Sequence, residues 1–128
     1  MVGLRLRNAF FRVARFVSEA KPHLAGVSLR GESAEVKKVR ETSPRVFMCA
    51  AIEAKIICTW APAVEKLPES HLIGLLLHEY GHLAGNASEE GADAWVWKTF
   101  GIPIEYKDYG PAKDLEWVDP RIIKSSGI

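Results

Sequence analysis

The segment 78–82, which reads His-Glu-Tyr-Gly-His, constrains this chain more than any other part of it. It follows the apolar run 72–77, and together the two segments predict a helix. On a helix, His78 and His82 stand one turn apart on the same face, so their imidazoles can bind one Zn²⁺. Glu79, rotated by about 100° around the axis, can then reach a water on that metal. The motif therefore predicts a zinc site with two histidine ligands and one acidic general base.

Length and composition are compatible with such a site in a small globular fold. The chain has 128 residues, of which 48% are hydrophobic and 26% are charged, so we expect residues 1–128 to form a single domain. No apolar run reaches the roughly 18 residues of a membrane span. Arginines interrupt the N-terminal segment where a signal peptide needs an apolar core. The sequence therefore predicts no membrane contact and a cytoplasmic location.

The charge is distributed unevenly along the chain. Residues 1–45 hold ten Lys or Arg and four Glu, which gives +6, whereas residues 46–128 hold seven basic and twelve acidic residues, which gives −5. A basic half can bind nucleic acid, and this leaves DNA-associated proteolysis as one hypothesis. No basic run interleaved with aromatic residues accompanies the charge, so we favour a solvated surface over a nucleic-acid interface.

The remaining patterns predict an α+β fold. Apolar residues at helical spacing in residues 4–20 predict an N-terminal amphipathic helix. Residues 24–30 and the two β-rich runs 45–51 and 52–61 predict strands. Residues 42–44 predict a turn. We expect the strands to form a small, mostly antiparallel sheet.

The second β-rich run carries an alternating pattern. One face would be buried and the other would point outwards, as in a half-buried strand. The predicted buried face consists of Ile52, Ala54, Ile56 and Cys58, and the predicted outer face of Glu53, Lys55, Ile57 and Thr59. Cys58 and Cys49 do not form a C-x-x-C pair. Because both lie in apolar segments, we interpret them as buried thiols that act as small hydrophobes, not as zinc ligands.

Two consecutive helices are expected around the zinc motif. Residues 68–70 place a proline and an acid where a first helical turn favours them, and residues 85–86 suit a helix end. Ser88 is a suitable N-cap for a second helix over residues 89–99. We expect the remainder, residues 104–128, to be irregular.

A catalytic zinc takes three protein ligands and leaves a fourth position for water. The third ligand must come from outside the motif, and the acidic start of the second helix is the obvious source. The combination of HEYGH with Glu-x-x-Ala-Asp at residues 89–93 resembles the gluzincin metallopeptidases, whose small intracellular members include the ImmA/IrrE-like peptidases. This resemblance, over about residues 68–100, implies that Glu89 is the third ligand. Glu90 remains an alternative, as does a role for both acids in complementing the helix dipole.

The spacing departs from that of larger relatives. Only six residues separate His82 from Glu89, fewer than in the large thermolysin-like enzymes. The segment HEYGHLAG also matches the beginning of the metzincin pattern, but Ser88 stands where that group has its third ligand, and serine binds zinc poorly. The gluzincin pattern therefore fits better. Asp93, one turn after Glu89, can accept the second N–H of a zinc histidine.

The resemblance implies a minimal zincin-like domain, with an N-terminal helix, a small sheet, the HExxH helix and a third-ligand helix. It implies a zinc-dependent peptidase that hydrolyses peptide bonds of a protein or peptide substrate, with Glu79 as general base on a zinc-bound water. The alternative is a zinc-binding regulatory or interaction module with little or no proteolytic activity, because so short a chain leaves few residues for a cleft.

Further residues are assigned to the cleft. His71, Tyr106 and Tyr109 are candidates for a donor that stabilises an oxyanion. The alternatives are a partly exposed helical position without such a role for His71, and core or surface packing for each tyrosine. Substrate backbone is expected to pair with an edge strand within residues 55–60, where Trp60 could line a subsite.

Two predictions concern packing after the motif. Trp95 and Trp97 lie in an apolar helix, so we expect both in the core. The tail of residues 104–128 follows the zinc helices, so it could cross the cleft and block it. The pattern leaves the oligomeric state and the cleavage preference open.

Overall fold

A computed structural model describes residues 3–31, 34–42, 47–60, 64–107 and 115–128 of the chain. The helices are α1 (Leu4–Ala20), α2 (Ala34–Thr42), α3 (Glu69–Leu83), α4 (Glu89–Phe100) and α5 (Pro120–Ser126), and the strands are β1 (Ser28–Arg30), β2 (Met48–Ala51), β3 (Ile56–Thr59), β4 (Glu105–Lys107) and β5 (Leu115–Trp117). The α+β class is therefore confirmed. Among the described helices, none is both long enough and apolar enough for a membrane crossing. Most of the predicted turn at 42–44 lies outside the described residues.

Three strands form a mixed sheet in the order β1-β3-β2. Strand β1 runs parallel to β3, and β2 runs antiparallel to it. Strands β4 and β5 form a separate antiparallel pair. The edge strand expected within residues 55–60 is wrong, because β3 lies in that segment and is the central strand. Strands β1 and β2 lie at the two edges of this sheet, on either side of β3.

The predicted strand over residues 52–61 is also too long at its start. Residues 52–55 form a turn in which Lys55 adopts φ 55, so Ile52 is 49% exposed rather than buried. Ile57, expected on the outer face, is fully buried, because β3 is covered on both faces. Cys58 is buried as predicted, and Cys49 is half-buried.

Helix α1 has the predicted bounds and the predicted buried face. That face is at most 5% exposed and consists of Leu6, Phe10, Val13 and Val17. It packs against α3, and each such side chain contributes about 1.5–3 kcal/mol by leaving water. On its flank, Arg12 pairs with Glu69 at the start of α3.

Helix α3 lies at the centre of the packing. It contacts α1, α4, β2 and β5, and it is buried on nearly all sides. It begins after Pro68 and ends before Gly85, which adopts φ 109, as the sequence predicts. A helix packed on all sides can bring side chains from several elements to one of its turns.

The C-terminal part is folded rather than irregular. Gly101, in the left-handed region, ends α4, and the β4–β5 pair and α5 follow. Val118 and Ile123 are buried in the core. The strands are only three residues long, so they carry no periodic signal that could have predicted them.

The two tryptophans of α4 differ in their packing. Trp95 packs against the core and meets the Phe100 ring edge-on. Trp97 is 57% exposed, so its expected place in the core is wrong. Two residues along a helix correspond to a rotation of about 200°, so Trp95 and Trp97 point to nearly opposite sides of α4. The side that carries Trp95 packs against the core, and the side that carries Trp97 does not.

Candidate metal centre

Two glycines of α3 let other main-chain segments come close to the motif. A Cβ at Gly81 would lie 2.6 Å from the carbonyl oxygen of Ala92 and 2.8 Å from its Cα. A Cβ at Gly74 would lie 3.1 Å from the carbonyl carbon of Glu116. Because glycine has no Cβ, α4 and β5 can both lie against the turns of α3 that flank His78.

The short link between α3 and α4 is closed by local hydrogen bonds. The Nδ2 amide of Asn86 donates to the carbonyl oxygen of Gly81 at 2.9 Å. Ser88 is the N-cap of α4, and its Oγ accepts the N–H of Gly91 at 2.9 Å. These contacts place Glu89, the first residue of α4, back over the end of α3.

Three predicted ligands converge in the structure. Nε2 of His78 lies 3.0 Å from Nε2 of His82 and 2.9 Å from Oε2 of Glu89. Nε2 of His82 lies 3.2 Å from Oε1 of Glu89. Ligand atoms around a tetrahedral zinc with bonds of about 2.0–2.1 Å lie about 3.3 Å apart, so the triangle fits zinc after slight expansion. Glu89 and Glu90, the alternative ligand, are both exposed at the start of α4, but it is Glu89 that reaches both histidines.

The opposite ring nitrogens fix the tautomers. Nδ1 of His82 lies 2.7 Å from the carbonyl oxygen of Asn86, which can only accept, so Nδ1 carries the proton. Nδ1 of His78 lies 2.7 Å from Oδ1 of Asp93 and 2.8 Å from Oε1 of Glu116. Two imidazole lone pairs and a carboxylate therefore face one another. Such a group needs a proton or a cation between its members.

The charge around His78 favours a cation at this position. Burial by itself lowers the pKa of His78, but hydrogen bonds with Asp93 and Glu116 raise this pKa to about 11. The surrounding carboxylates thus stabilise positive charge on or beside the ring. A divalent cation supplies that charge as well as a proton does.

Glu79 lies beside the ligand pair. Its side chain is buried, and its Oε2 has no hydrogen-bond partner among the described residues. Ligand atoms of Glu79, His78 and His82 lie within 4.8 Å of one another. Burial raises the pKa of Glu79 to about 8, while the charge of His78 opposes that rise. This carboxyl group therefore has a high proton affinity and lies close to the ligand atoms of His78 and His82.

Glu116 is the site residue that sequence reasoning missed. It lies on β5 and is 6% exposed. Its Oε1 lies beside Nδ1 of His78, whereas the other ring nitrogen, Nε2, faces His82 and Glu89. Burial raises its pKa to about 7, with the hydrogen bond to His78 opposing the rise. No motif surrounds this residue, and the short strand that carries it has no periodic signal.

The three expected oxyanion donors have different positions. His71 is 1% exposed and lies about 10.5 Å along the helix axis from His78, and burial lowers its pKa. The structure does not bring it to the ligand triangle. The hydroxyl of Tyr106 donates to Oδ2 of Asp93, and burial and that carboxylate raise the pKa of Tyr106. Tyr109 lies outside the described residues.

A groove of about 790 Å³ runs beside the ligand triangle. Strand β2 forms one wall, and Glu79, His82 and Glu89 lie along the other. Its described lining does not include Trp60, whose ring lies 4.8 Å below the Arg40 guanidinium carbon. The subsite role expected of Trp60 therefore has no support from the groove geometry.

Strand β2 presents main-chain groups to this groove. The N–H of Trp60 donates to the carbonyl of Phe47 at 2.8 Å. Together with the register of β2 and β3, this bond shows which residues of β2 point their main-chain groups towards β3. In an antiparallel ladder the alternate residues, Met48 and Ala50, direct their N–H and C=O groups away from the partner strand. Among the described residues, no strand pairs with that edge.

The described residues thus define the class of site: a candidate mononuclear metal centre with two imidazoles, one carboxylate and a buried acid beside an open strand edge. No family model, curated protein or solved structure matches this chain.

Proposed function

We propose that this chain is a zinc-dependent peptidase with a minimal zincin-like fold, and that it cleaves an extended segment of a protein or peptide. One observation carries the proposal. Nε2 of His78, Nε2 of His82 and the carboxylate of Glu89 lie within 3.2 Å of each other, and the unpaired Oε2 of Glu79 lies beside them. Two nitrogens and one oxygen are a donor set that zinc favours when one position must stay open.

Bound zinc would supply a Lewis acid that polarises a carbonyl and makes water acidic near neutral pH. The chain's own residues hold and move the protons. Oε2 of Glu79 accepts a proton from the attacking water and then delivers it to the leaving amine nitrogen. Burial favours this role, because it keeps the proton affinity of Glu79 high. Asp93 and the carbonyl of Asn86 hold the Nδ1 protons, so that both Nε2 atoms remain free to bind metal.

The open edge of β2 is the element that we expect to hold the substrate backbone. Met48 and Ala50 offer main-chain donors and acceptors beside Glu79. An extended peptide can pair with them as an added strand. Such pairing is independent of side chains, so it fixes the direction of the peptide while the wall of the groove selects among sequences.

The wall of the groove favours an apolar side chain. Val39 is 37% exposed and Ile52 is 49% exposed, and both line the groove. Covering such side chains with a large apolar residue of the substrate is worth about 1.5–3 kcal/mol. We therefore propose that the substrate carries a large apolar residue next to the cleaved bond.

The proposed activity is tested by digestion of a mixed peptide pool, followed by mass spectrometry of the products. We expect cleavage beside large apolar residues. A chelator should stop the cleavage, and added zinc should restore it. Zinc-loaded, folded protein that cleaves nothing in such a pool, yet captures some of its peptides, would instead favour a regulatory or interaction module.

The groove is tested separately with Ile52→Glu. A charge in this wall should reduce kcat/KM for apolar peptides by about 10- to 200-fold. Leu4→Glu is the matched control, because Leu4 is 72% exposed and lies on α1 away from the groove. Equal losses in both variants, or no loss in either, would contradict the assignment of this wall to substrate.

A further inference from the structure

We propose that Glu116 is a positioning residue of the metal centre: together with Asp93 it clamps the Nδ1–H of His78, so that β5 is a part of the centre. This inference rests on the proposed metal site but not on proteolysis. It gives the described part of the C-terminal tail a role different from the cleft-blocking one expected of residues 104–128, because Glu116 lies beside Nδ1 of His78.

Two carboxylates lie beside Nδ1 of His78, although its single N–H needs only one acceptor. Nδ1 lies 2.7 Å from Oδ1 of Asp93 and 2.8 Å from Oε1 of Glu116. Glu116 is 6% exposed, and its Oε2 has no hydrogen-bond partner among the described residues. A buried carboxylate is costly unless a positive group compensates it. Among the described residues, the His78 ring is the basic group that lies beside Glu116, and a metal ion on the other nitrogen of that ring would supply the compensating positive charge.

The position of Glu116 is set by main-chain packing. At Gly74 the backbone of β5 comes so close to α3 that a Cβ would lie 3.1 Å from the carbonyl carbon of Glu116 and 3.1 Å from the nitrogen of Trp117. One residue later, the N–H of Val118 donates to the carbonyl oxygen of Ser70 at 3.3 Å. Strand β5 is therefore held against α3 at Gly74. The carboxylate of Glu116 then lies beside His78, which is one helical turn after Gly74.

The two carboxylates of the clamp have unequal surroundings. Asp93 also accepts the hydroxyl of Tyr106, and this second donor reduces its pull on the proton of His78. Oε1 of Glu116 lies 2.8 Å from Nδ1 of His78, and Glu116 has no such competing donor among the described residues. A stronger acceptor on Nδ1–H makes Nε2 a better metal ligand and fixes the ring plane. Glu116 also adds negative charge next to a site that binds a dication.

The test is the zinc affinity of Glu116→Gln, measured by competition with a chromophoric chelator. The amide has nearly the same shape but removes the charge, so we expect zinc to bind about 10- to 100-fold more weakly. The visible spectrum of the cobalt-substituted protein should shift as well, because the His78 ligand changes. Glu90→Gln is the matched control, since it removes an exposed carboxylate from the same neighbourhood, and it should leave both readouts unchanged.

A second variant keeps the test valid if Glu116→Gln does not fold. Glu116→Asp retains the charge but withdraws the carboxylate by one methylene, so zinc affinity should still fall. A purely structural role would lower the melting temperature of the metal-free protein and leave zinc affinity and the cobalt spectrum as in the parent. Parental zinc affinity in either folded variant would overturn the proposal. A peptidase test that fails while these variants lose zinc would overturn only the proposed function.

Discussion

Glu79→Gln should abolish cleavage and leave zinc bound. The amide has the shape of the acid but cannot accept a proton, and loss of a general base typically costs 10²–10⁴-fold in rate. Oε2 of Glu79 has no hydrogen-bond partner among the described residues, so the substitution breaks no described hydrogen bond of that atom. Initial rates on a peptide identified in the pool digest, together with zinc content, measure both effects.

Glu90→Gln is the control for the loss of one negative charge beside the site, and it should cleave at the parental rate. If Glu79→Gln retained cleavage within a few fold of the parent, Glu79 would not be the base. If it lost zinc together with activity, Glu79 would be a ligand instead. If the parent itself only binds peptides, the substitution should leave that binding intact, as a regulatory module requires.

Gly81→Ala should destabilise the fold and weaken zinc binding. In an exposed helix this change stabilises by about 1 kcal/mol. Here the new methyl would lie 2.6 Å from the carbonyl oxygen of Ala92 and 2.8 Å from its Cα. Overpacking against atoms that cannot rotate away typically costs about 1–3 kcal/mol, and sometimes more. We therefore expect a net loss of stability, measured by denaturant unfolding of the metal-free protein.

The same shift would move Glu89 away from the histidines, because α4 carries both Ala92 and Glu89. Zinc affinity should fall even where the variant is folded. Adding Ala92→Gly should give no rescue, since the closest atoms belong to the main chain. A Gly81→Ala protein that is as stable as the parent and binds zinc as tightly would show that α4 does not depend on this close approach.

The parts of the site that are local in sequence could be predicted. His78 and His82 are one helical turn apart, so any helix places them together. The cap at Ser88 and the helix that begins at Glu89 follow from local hydrogen bonding. These short-range rules predict the bounds of α3 and α4. The role of Glu89 as third ligand is implied only by the gluzincin resemblance, and its place beside the histidines depends on how α4 packs against α3.

The parts that depend on long-range packing could not be predicted. Glu116 reaches His78 only because β5 packs against Gly74, and no local pattern reports that contact. Likewise, residues 45–61 show β-rich segments, but which strand lies at the edge depends on β1, which comes from elsewhere in the chain. Helix α2 carries no clear apolar pattern, because its sequence is polar, and of its described side chains only Val36 is fully buried.

The most direct test of the proposed metal centre is the zinc content of the purified protein, measured by mass spectrometry under native conditions. We expect about one zinc per chain in the parent and in Glu90→Ala, and we expect zinc to be lost or much more weakly bound in Glu89→Ala. This result would support the ligand set of His78, His82 and Glu89. Absence of zinc after reconstitution of the folded parent would contradict the metal centre and the peptidase with it. Zinc retained in Glu89→Ala but lost in Glu90→Ala would contradict the assignment of the third ligand.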